Sequence, residues 1–381
     1  MGCDNHYKDR YDIGQYALPP IEQYLREGYK HPFLLLDSAT IRNQARRFFA
    51  ALPGITPHYA VKSNPDIRVL DILKQEGTSF EIASRYELDA LLSLGVEAKD
   101  IFYSNPIKSK AYIEYAAKKG LEWYAIDCVE ELQKVHQVKP DAKLYLRIYT
   151  SNEGSVCPLS GKFGANDGDI QRVIEESVAL NADLAGVTFH VGSQCSNLNN
   201  WRDGIRKAHD IFQKITAAGL QPRLLNLGGG YPVSFRDPAP SIEDIAALIK
   251  TELAVFPKSV RIIAEPGRFM VAEAGCLVCS VVGTTQRNDE RWLYLDVGYY
   301  NGLIELQQGI SHVLDTARDG KLVPWTIAGP TCDSADVCAK NYPLPSDLRE
   351  GDIIYIRNIG AYSNACAGTF NGFPAPEVIV L

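Results

Sequence analysis

Eight short apolar, β-rich runs, each followed by a polar turn and then a helical stretch, recur between about residue 55 and residue 266. This strand–helix rhythm predicts an α/β fold. Eight repeats match the eight strands of a closed (β/α)8 TIM-like barrel, and an open doubly wound sheet is the alternative. The number of runs favours the barrel; they cover residues 58–62, 79–83, 101–104, 122–127, 144–148, 185–191, 223–228 and 261–266.

The rhythm changes after Arg268, where apolar runs alternate with turns and show little helical pattern. Such a pattern predicts a separate C-terminal all-β domain. A further strand is predicted over residues 33–37, outside the eight barrel strands. We therefore expect the barrel over residues 38–270 and the β-domain over residues 271–381, with residues 1–37 packed on the latter.

The composition excludes several classes of protein. Lys and Arg number 39 against 46 Asp and Glu, and the resulting net charge of −7 lacks the basic surplus that nucleic-acid binding requires. No apolar run approaches the ~20 residues needed to cross a bilayer, and the first residues lack the apolar segment of a secretory signal. We expect no nucleic-acid or membrane partner.

The nine cysteines are scattered and odd in number, which indicates reduced thiols and a cytoplasmic protein. One pair, Cys276 and Cys279, forms a CxxC motif inside an apolar run. No second CxxC or His pair completes four zinc ligands in the sequence, so we expect a buried strand there and no metal site.

Polar and charged residues end the predicted barrel strands. The active site of such a barrel forms at the carboxyl ends of its strands, and charged groups are costly to bury without a purpose. Any one of these residues is equally compatible with a strand end that meets solvent, but together they predict an active site; they are Lys62, Glu81, Asn105, Asp127, Arg147, His190, Gly228–Gly230, Glu265 and Arg268.

Two features of this set predict the chemistry. Partial desolvation at a strand tip can depress the pKa of Lys62 and suits it to Schiff-base formation. Backbone N–H groups of Gly228–Gly230 can approach an anion closely, and the loops after strands seven and eight are the usual phosphate site of such barrels. Arg268 adds a phosphate partner. An imine-forming lysine opposite a phosphate pocket indicates pyridoxal 5′-phosphate.

Three further residues then acquire roles around that cofactor. A carboxylate at Glu265 would keep the pyridine nitrogen protonated and make the ring an electron sink. His190 could stack on the ring, and Ser193 could donate a hydrogen bond to the phosphate. The alternative interpretation of His190 is a core histidine hydrogen-bonded to the backbone. The alternative for the other positions is a polar side chain that meets solvent at a strand end.

Six motifs, AVKSNP, FHVGSQ, NLGGGYP, AEPGRFMV, GPTCDSADV and GAYSNACAGTFNGF, make the interpretation specific. In this order and spacing they resemble the ornithine decarboxylase family of alanine-racemase-like pyridoxal phosphate enzymes, from about residue 30 to the end. The resemblance implies that Lys62 binds the cofactor covalently, that His190 stacks on the ring and that Glu265 partners its nitrogen. It implies a phosphate cradle of Ser193, Gly228, Gly229, Gly230, Arg268 and Tyr362.

The same resemblance implies that Arg147 supports the Schiff-base side of the cofactor and a neighbouring carboxylate. The family's aspartate on the second strand is Glu81 here. Cys332 matches a catalytic cysteine that protonates Cα, and Asp333 a carboxylate for the distal amine of the substrate. Phe370 matches an aromatic residue at the subunit interface. Because these groups reach the site from the other subunit in the family, the resemblance implies a homodimer with shared active sites.

The implied reaction is the decarboxylation of a basic amino acid, with L-ornithine to putrescine first and L-lysine to cadaverine second. A second acid for the distal amine has no clear equivalent, since Glu305 and Asp315 align poorly. A decarboxylase of a larger or modified diamino acid in a polyamine, siderophore or natural-product pathway is therefore an alternative. An inactive regulatory homologue and a racemase are more distant alternatives, and retention of Lys62 and Cys332 speaks for a decarboxylase.

Overall fold

The computed structural model of the protein describes Gly28 and residues 32–381. Eight parallel strands close into a barrel, as predicted, so the open-sheet alternative is wrong. Each strand lies within two residues of its predicted start. In barrel order from the first along the chain, they are Thr56–Ala60, Ser79–Ile82, Ile101–Tyr103, Trp123–Ile126, Lys143–Arg147, Asp183–Thr188, Leu224–Asn226 and Arg261–Ala264.

Helices surround the barrel, and most of them begin at a side-chain cap. Asp37, for example, accepts hydrogen bonds from the backbone N–H groups of Ala39 and Thr40 at 3.2 and 3.1 Å, which satisfies two of the donors that a helix start leaves free. The helices are Ser38–Ala51, Ile67–Gln75, Arg85–Ser93, Lys110–Lys118, Val129–Val138, Asp167–Ala179, Asn199–Ala217, Ile242–Glu252 and Arg268–Val271.

The barrel interior is a packed apolar core rather than a pore. Aromatic and aliphatic side chains from its strands fill it, and Phe102 stacks on Trp123 with ring centroids 4.9 Å apart. Glu81 pairs in register with Phe102 and is 1% exposed, so this carboxylate points into the barrel above the apolar layer. The polar site therefore lies at the end of the barrel where the strands finish. A two-stranded ribbon, Ser155–Cys157 with Ser193–Cys195, lies beside that end.

The second sheet has eight strands and contains every strand that the sequence predicts outside the barrel. It also contains two that the sequence analysis missed, Leu314–Thr316 and Val337–Pro345. The other strands are Phe33–Leu36, Gly275–Arg287, Glu290–Leu295, Leu322–Ala328, Ile353–Arg357 and Glu377–Val380. Cys276 and Cys279 are buried in the strand Gly275–Arg287, which confirms the predicted buried strand for the CxxC motif.

Helical structure is sparse in this second part of the chain. The short helix Ile304–Gln307 and several single 3₁₀ turns connect its strands. Strand Phe33–Leu36 pairs with both Gly275–Arg287 and Glu377–Val380. The remainder of the predicted packing of residues 1–37 falls largely outside the described residues. The predicted boundary at 270/271 falls inside the helix Arg268–Val271 and stays a prediction. None of the helices in the described part of the chain could cross a membrane.

Candidate active site

The predicted site residues fall into two groups, and the structure adds Ser104 and Asn226 to the first and Tyr300 and Asn371 to the second. The barrel-mouth cluster lies where the barrel strands end and consists of Lys62, Glu81, Ser104, Arg147, His190, Ser193, Asn226, Gly228–Gly230, Glu265, Arg268 and Tyr362. The exposed loop cluster lies on the second sheet domain and consists of Tyr300, Cys332, Asp333, Phe370 and Asn371. Among the described residues no hydrogen bond or ion pair joins the two clusters directly.

Lys62 lies in the 3₁₀ turn Val61–Ser63, two residues beyond the strand Thr56–Ala60 rather than at its tip. Its side chain is 44% exposed although Val61 and Ser63 are both fully buried, so the amine reaches into an open space at the barrel mouth. The turn is fastened to the second domain, because Tyr362 donates its backbone N–H to the Ser63 carbonyl at 2.7 Å.

An ion pair joins Lys62 Nζ to Oε1 of Glu81. Partial desolvation at the barrel mouth would by itself lower the pKa of the Lys62 ammonium, but the negative charges of Glu81, Tyr362 and Glu265 outweigh it and raise that pKa. The depressed pKa expected from the sequence is therefore wrong for the cofactor-free chain. Burial raises the pKa of Glu81 to about 7 against the opposing effect of Lys62. The second oxygen of Glu81 is buried and has no hydrogen-bond partner in the described part of the chain.

Arg147 ends the strand Lys143–Arg147. Its guanidinium lies 5.5 Å from the centre of the Phe163 ring, and burial lowers its pKa. Among the described residues Arg147 has no hydrogen bond to the Glu81 carboxylate, and its predicted support of a neighbouring carboxylate stays a prediction. Its charge nevertheless acts on Glu81 and Glu265 across the mouth.

His190 follows the strand Asp183–Thr188 by two residues. Its Nδ1 accepts a hydrogen bond from the Gly192 backbone N–H at 3.0 Å, which leaves Nε2 as the protonated nitrogen of the ring. Burial, reinforced by the charges of Arg147 and Lys62, lowers the pKa of His190 well below its usual value. The imidazole is therefore neutral at physiological pH, as a ring-stacking residue requires.

The glycine loop is shaped by two close approaches that only glycine permits. Gly228 has φ +63°, and a Cβ there would lie 1.9 Å from the Phe189 carbonyl oxygen. Gly230 has φ +104°, and a Cβ there would lie 2.4 Å from the Gly192 oxygen. These contacts bring the backbone of the loop against the segment that carries His190 and Ser193.

Arg268 lies at the start of its helix and is 4% exposed. Both of its terminal nitrogens donate to Glu305, at 2.6 and 2.5 Å, and one also donates to Ser193 Oγ at 3.0 Å. The Tyr362 ring centre lies 5.1 Å from the guanidinium carbon. Glu305 is therefore engaged by Arg268, and Asp315 by Arg357 at 2.9 Å, so neither of the two candidate second acids is free to bind a substrate amine.

Sequence reasoning missed the support around Glu265. Asn105, which it placed at a strand end, directs its amide to the Ala83 carbonyl at 3.4 Å, whereas the preceding Ser104 donates to Glu265 Oε1 at 2.5 Å. Asn226 donates to the same oxygen at 2.6 Å. Asn226 belongs to the NLGGGYP motif, so that motif was the available signal. Asp127 likewise has a structural partner, since it accepts from the Gly164 backbone N–H at 3.0 Å.

The exposed loop cluster is held by contacts within the second domain. Tyr300 donates to Asp333 Oδ2 at 2.5 Å, and the Phe370 ring lies 4.6 Å from the Tyr300 ring. Asn371, at φ +57°, accepts both the backbone N–H and the thiol of Cys332, at 3.0 and 3.1 Å. Hydrogen bonds from Ala335 and Tyr300 lower the pKa of Asp333, so its carboxylate stays ionised.

Comparison with known proteins agrees with this geometry. Residues 38–272 match the family described as pyridoxal-dependent decarboxylase, pyridoxal binding domain. The chain is 37% identical over 365 residues to ornithine decarboxylase of Schizosaccharomyces pombe, a match that covers 92% of this chain and 83% of that protein. The chain belongs to the pyridoxal-dependent decarboxylase family.

Two further relatives are similar to this decarboxylase over most of its length. Its fold matches the crystal structure of lysine/ornithine decarboxylase complexed with cadaverine from Vibrio vulnificus with a TM-score of 0.86 and 35% identity, over 96% of this chain and all of that one. It is also 35% identical to antizyme inhibitor 2 of Xenopus laevis, over 91% of this chain and 80% of that protein. The predicted family and fold class are confirmed.

The barrel-mouth cluster of this decarboxylase fits pyridoxal phosphate. Nε of Arg268 is buried without an acceptor among the described residues, and a phosphate oxygen beside it would supply one. The close-packed glycine loop leaves no side chain between its backbone and such a group. The Lys62 amine is accessible from the mouth, and the hydrogen bonds of Glu265 engage Oε1 while leaving Oε2 open within the described chain.

Proposed function

We propose that the protein decarboxylates L-ornithine to putrescine, with L-lysine as a second substrate that yields cadaverine. The observation that carries this proposal is the barrel-mouth cluster, in which an accessible lysine amine, an open carboxylate oxygen and a buried arginine are held at one barrel end. The names of the relatives, ornithine decarboxylase and lysine/ornithine decarboxylase, support the substrate class.

Bound pyridoxal phosphate supplies an electron sink for the electron pair that departing CO₂ leaves at Cα. Lys62 provides the amine that anchors the cofactor, and its ion pair with Glu81 keeps that amine at the mouth. Arg268 and Ser193 would hold the phosphate together with Gly228–Gly230. Glu265 would hold the ring nitrogen through Oε2 and stabilise its protonated form.

The exposed loop cluster supplies the substrate end of the site. Asp333 is ionised and partly exposed, which suits a cationic distal amine. Cys332 is exposed beside it and gives a proton to Cα, a step for which a thiol is a suitable general acid. Phe370 lies against Tyr300 and covers an apolar side of the same cluster.

We propose that the enzyme is a homodimer in which this cluster completes the barrel mouth of the partner subunit. The exposure of Cys332 and Phe370, the latter 45%, supports this arrangement, because a proton donor must be enclosed to act selectively. A cytoplasmic location is also proposed, and the free thiols of the eight described cysteines support it.

The dimer proposal is tested by mixing two inactive variants, Lys62→Ala and Cys332→Ala. Random pairing makes half of the dimers mixed, and each mixed dimer holds one intact site, so about a quarter of wild-type activity returns. Neither variant alone should recover activity. If both variants are dimeric, exchange subunits and still show no recovery, Cys332 serves its own chain and the shared site is wrong.

A second candidate function, decarboxylation of a larger diamino acid, is favoured by one observation. With Glu305 paired to Arg268 and Asp315 to Arg357, Asp333 is the one acid of the predicted set that is available to a distal amine. A site with a single carboxylate discriminates chain length weakly, and one methylene is worth only ~1–3 kcal/mol.

The test of substrate choice is incubation of the purified holoenzyme with L-ornithine, L-lysine, L-arginine and diaminopimelate, followed by mass detection of each amine product. We expect putrescine to form with the highest kcat/KM and cadaverine to follow at about 10- to 100-fold lower efficiency. Turnover of a larger substrate alone would support the second candidate. Loss of both ornithine and lysine turnover would overturn the first.

A further inference from the structure

A short hydrogen-bond chain converges on one oxygen of Glu265. Ser104 Oγ donates to Glu265 Oε1 at 2.5 Å, and Asn226 Nδ2 donates to the same atom at 2.6 Å. Glu265 is only 9% exposed, and Asn226 is fully buried. Both groups therefore donate to a carboxylate in a setting where hydrogen bonds are electrostatically strong.

The direction of donation along these hydrogen bonds is fixed by the number of protons available. The single hydroxyl proton of Ser104 points at Glu265, so the 2.8 Å contact between Ser104 and Tyr145 must use the Tyr145 proton. Tyr145 is fully buried inside the barrel. The order of donation is thus Tyr145 to Ser104 to Glu265, and every link favours the ionised carboxylate.

Asn226 connects this carboxylate to the glycine loop. The Gly228 backbone N–H can only donate, and it donates to Asn226 Oδ1 at 2.9 Å, which leaves Nδ2 for Glu265. In return, the Glu265 backbone N–H donates to the Gly228 carbonyl at 2.8 Å. One amide therefore links the ring end of the cofactor site to its phosphate end.

We propose that Ser104 and Asn226 are positioning residues that hold the Glu265 carboxylate with Oε2 turned toward the cofactor ring nitrogen, and that Asn226 also fixes the phosphate loop. This inference rests on the proposed function, in which Glu265 partners that nitrogen. Loss of either donor frees the carboxylate to turn away and weakens the hydrogen bond that stabilises the protonated ring nitrogen. The other titratable or charged groups that act on Glu265 are Lys62, Glu81, Tyr145, Arg147 and Tyr231.

The test is ¹⁵N NMR of holoenzyme reconstituted with pyridoxal phosphate labelled at the pyridine nitrogen. The ¹⁵N shift of wild type should report a protonated nitrogen, and Glu265→Gln should report an unprotonated one. In Ser104→Ala the shift should move toward the unprotonated value, by an amount equivalent to about one pKa unit of the ring nitrogen. Ser104→Thr keeps the hydroxyl and should restore the wild-type shift.

Asn226→Ala gives a second and separate readout. Asn226→Ala also removes the acceptor of the Gly228 N–H, which loosens the phosphate loop. The dissociation constant of this variant for the cofactor should therefore rise at least about tenfold, whereas Ser104→Ala should change that constant less. Circular dichroism establishes that each variant is folded before its spectrum is compared.

The outcomes separate the inference from the proposed function. If Glu265→Gln leaves the ¹⁵N shift of wild type unchanged, the assignment of Glu265 in the proposed function fails and the inference fails with it. If Glu265→Gln behaves as expected but folded Ser104→Ala keeps the wild-type shift, the inference alone is overturned. A Ser104→Thr variant that behaves like Ser104→Ala would also overturn it, since the hydroxyl would then not be the active feature.

Discussion

The two clusters of the site differ in how completely one chain builds them. In the barrel-mouth cluster, Arg268 and Glu265 are buried and each is held by two neighbouring side chains. In the exposed loop cluster, Cys332 and Phe370 face solvent and, within the described part of the chain, are held by contacts inside their own domain. This difference is the one that the proposed dimer predicts, with the cofactor end built by one chain and the substrate end completed by a second.

The largest effect should come from the centre of the barrel-mouth cluster. Lys62→Ala removes the amine that we propose anchors the cofactor, so we expect kcat to fall by at least about 10³-fold. The matched control is Lys118→Ala, because Lys118 is exposed at the end of an outer helix. Steady-state putrescine formation measures both. If the activity of Lys62→Ala stays within tenfold of wild type, the catalytic centre does not lie in this cluster.

Cys332→Ala tests the exposed loop cluster and should have a smaller effect. We expect amine release to slow by about 10²-fold, because a positioned proton donor contributes that order of rate, while cofactor binding stays intact. Protonation at the wrong carbon should then yield some product of transamination. Mass analysis of the products checks this, and an unchanged product profile would remove the proposed role of Cys332 as proton donor.

Gly228→Ala tests the rigidity of the barrel-mouth cluster through folding rather than chemistry. A Cβ at this position meets the Phe189 oxygen at 1.9 Å and φ is +63°, so we expect a loss of at least ~2 kcal/mol in the free energy of unfolding. Gly283→Ala is the control, since a Cβ there meets nothing within 4 Å. Urea unfolding compares the two, and equal stability would show that the loop is less constrained than its contacts indicate.

The last prediction concerns the pH dependence of stability and a buried histidine next to Glu305, the partner of Arg268 in the barrel-mouth cluster. Burial lowers the pKa of His312, which lies behind Glu305, to about 3. Between pH 6.5 and 3 His312 is protonated in the unfolded chain but not in the folded one. The free energy of unfolding therefore falls as pH drops through this window. His312→Asn should make the slope shallower by about 1.4 kcal/mol per pH unit. Urea unfolding of cofactor-free protein measures it, and identical slopes would contradict the shift.

The barrel could be predicted from the sequence, whereas two strands of the second sheet could not, and their positions explain why. Leu314–Thr316 and Val337–Pro345 are the two ends of the main strand order of that sheet. Edge strands tolerate short length and proline because one side of the backbone needs no partner. Pro343 and Pro345 made Val337–Pro345 hard to recognise as a strand from its sequence. Leu314–Thr316 has only three residues, too few to show an alternating pattern.

Within the site, residue types that perform chemistry were predictable and their supports were not. Lys62, Glu265 and Arg268 follow apolar strands in recognisable motifs, and the structure brings them to one barrel end. Ser104 was missed in favour of its neighbour Asn105, because strand ends are uncertain by a residue and side-chain direction changes at each step. Which carboxylate pairs with Arg268 depends on the fold of residues 304–307, far along the chain, so sequence spacing could not indicate Glu305.

The claim on which the mechanism depends most is that Lys62 anchors the cofactor. Borohydride reduction of the holoenzyme, followed by proteolysis and mass mapping, tests it directly. We predict a pyridoxyl group on the peptide that contains Lys62 and none on that peptide in Lys62→Ala. A pyridoxyl group on another lysine, such as the buried Lys108, or on no lysine at all, would contradict the account.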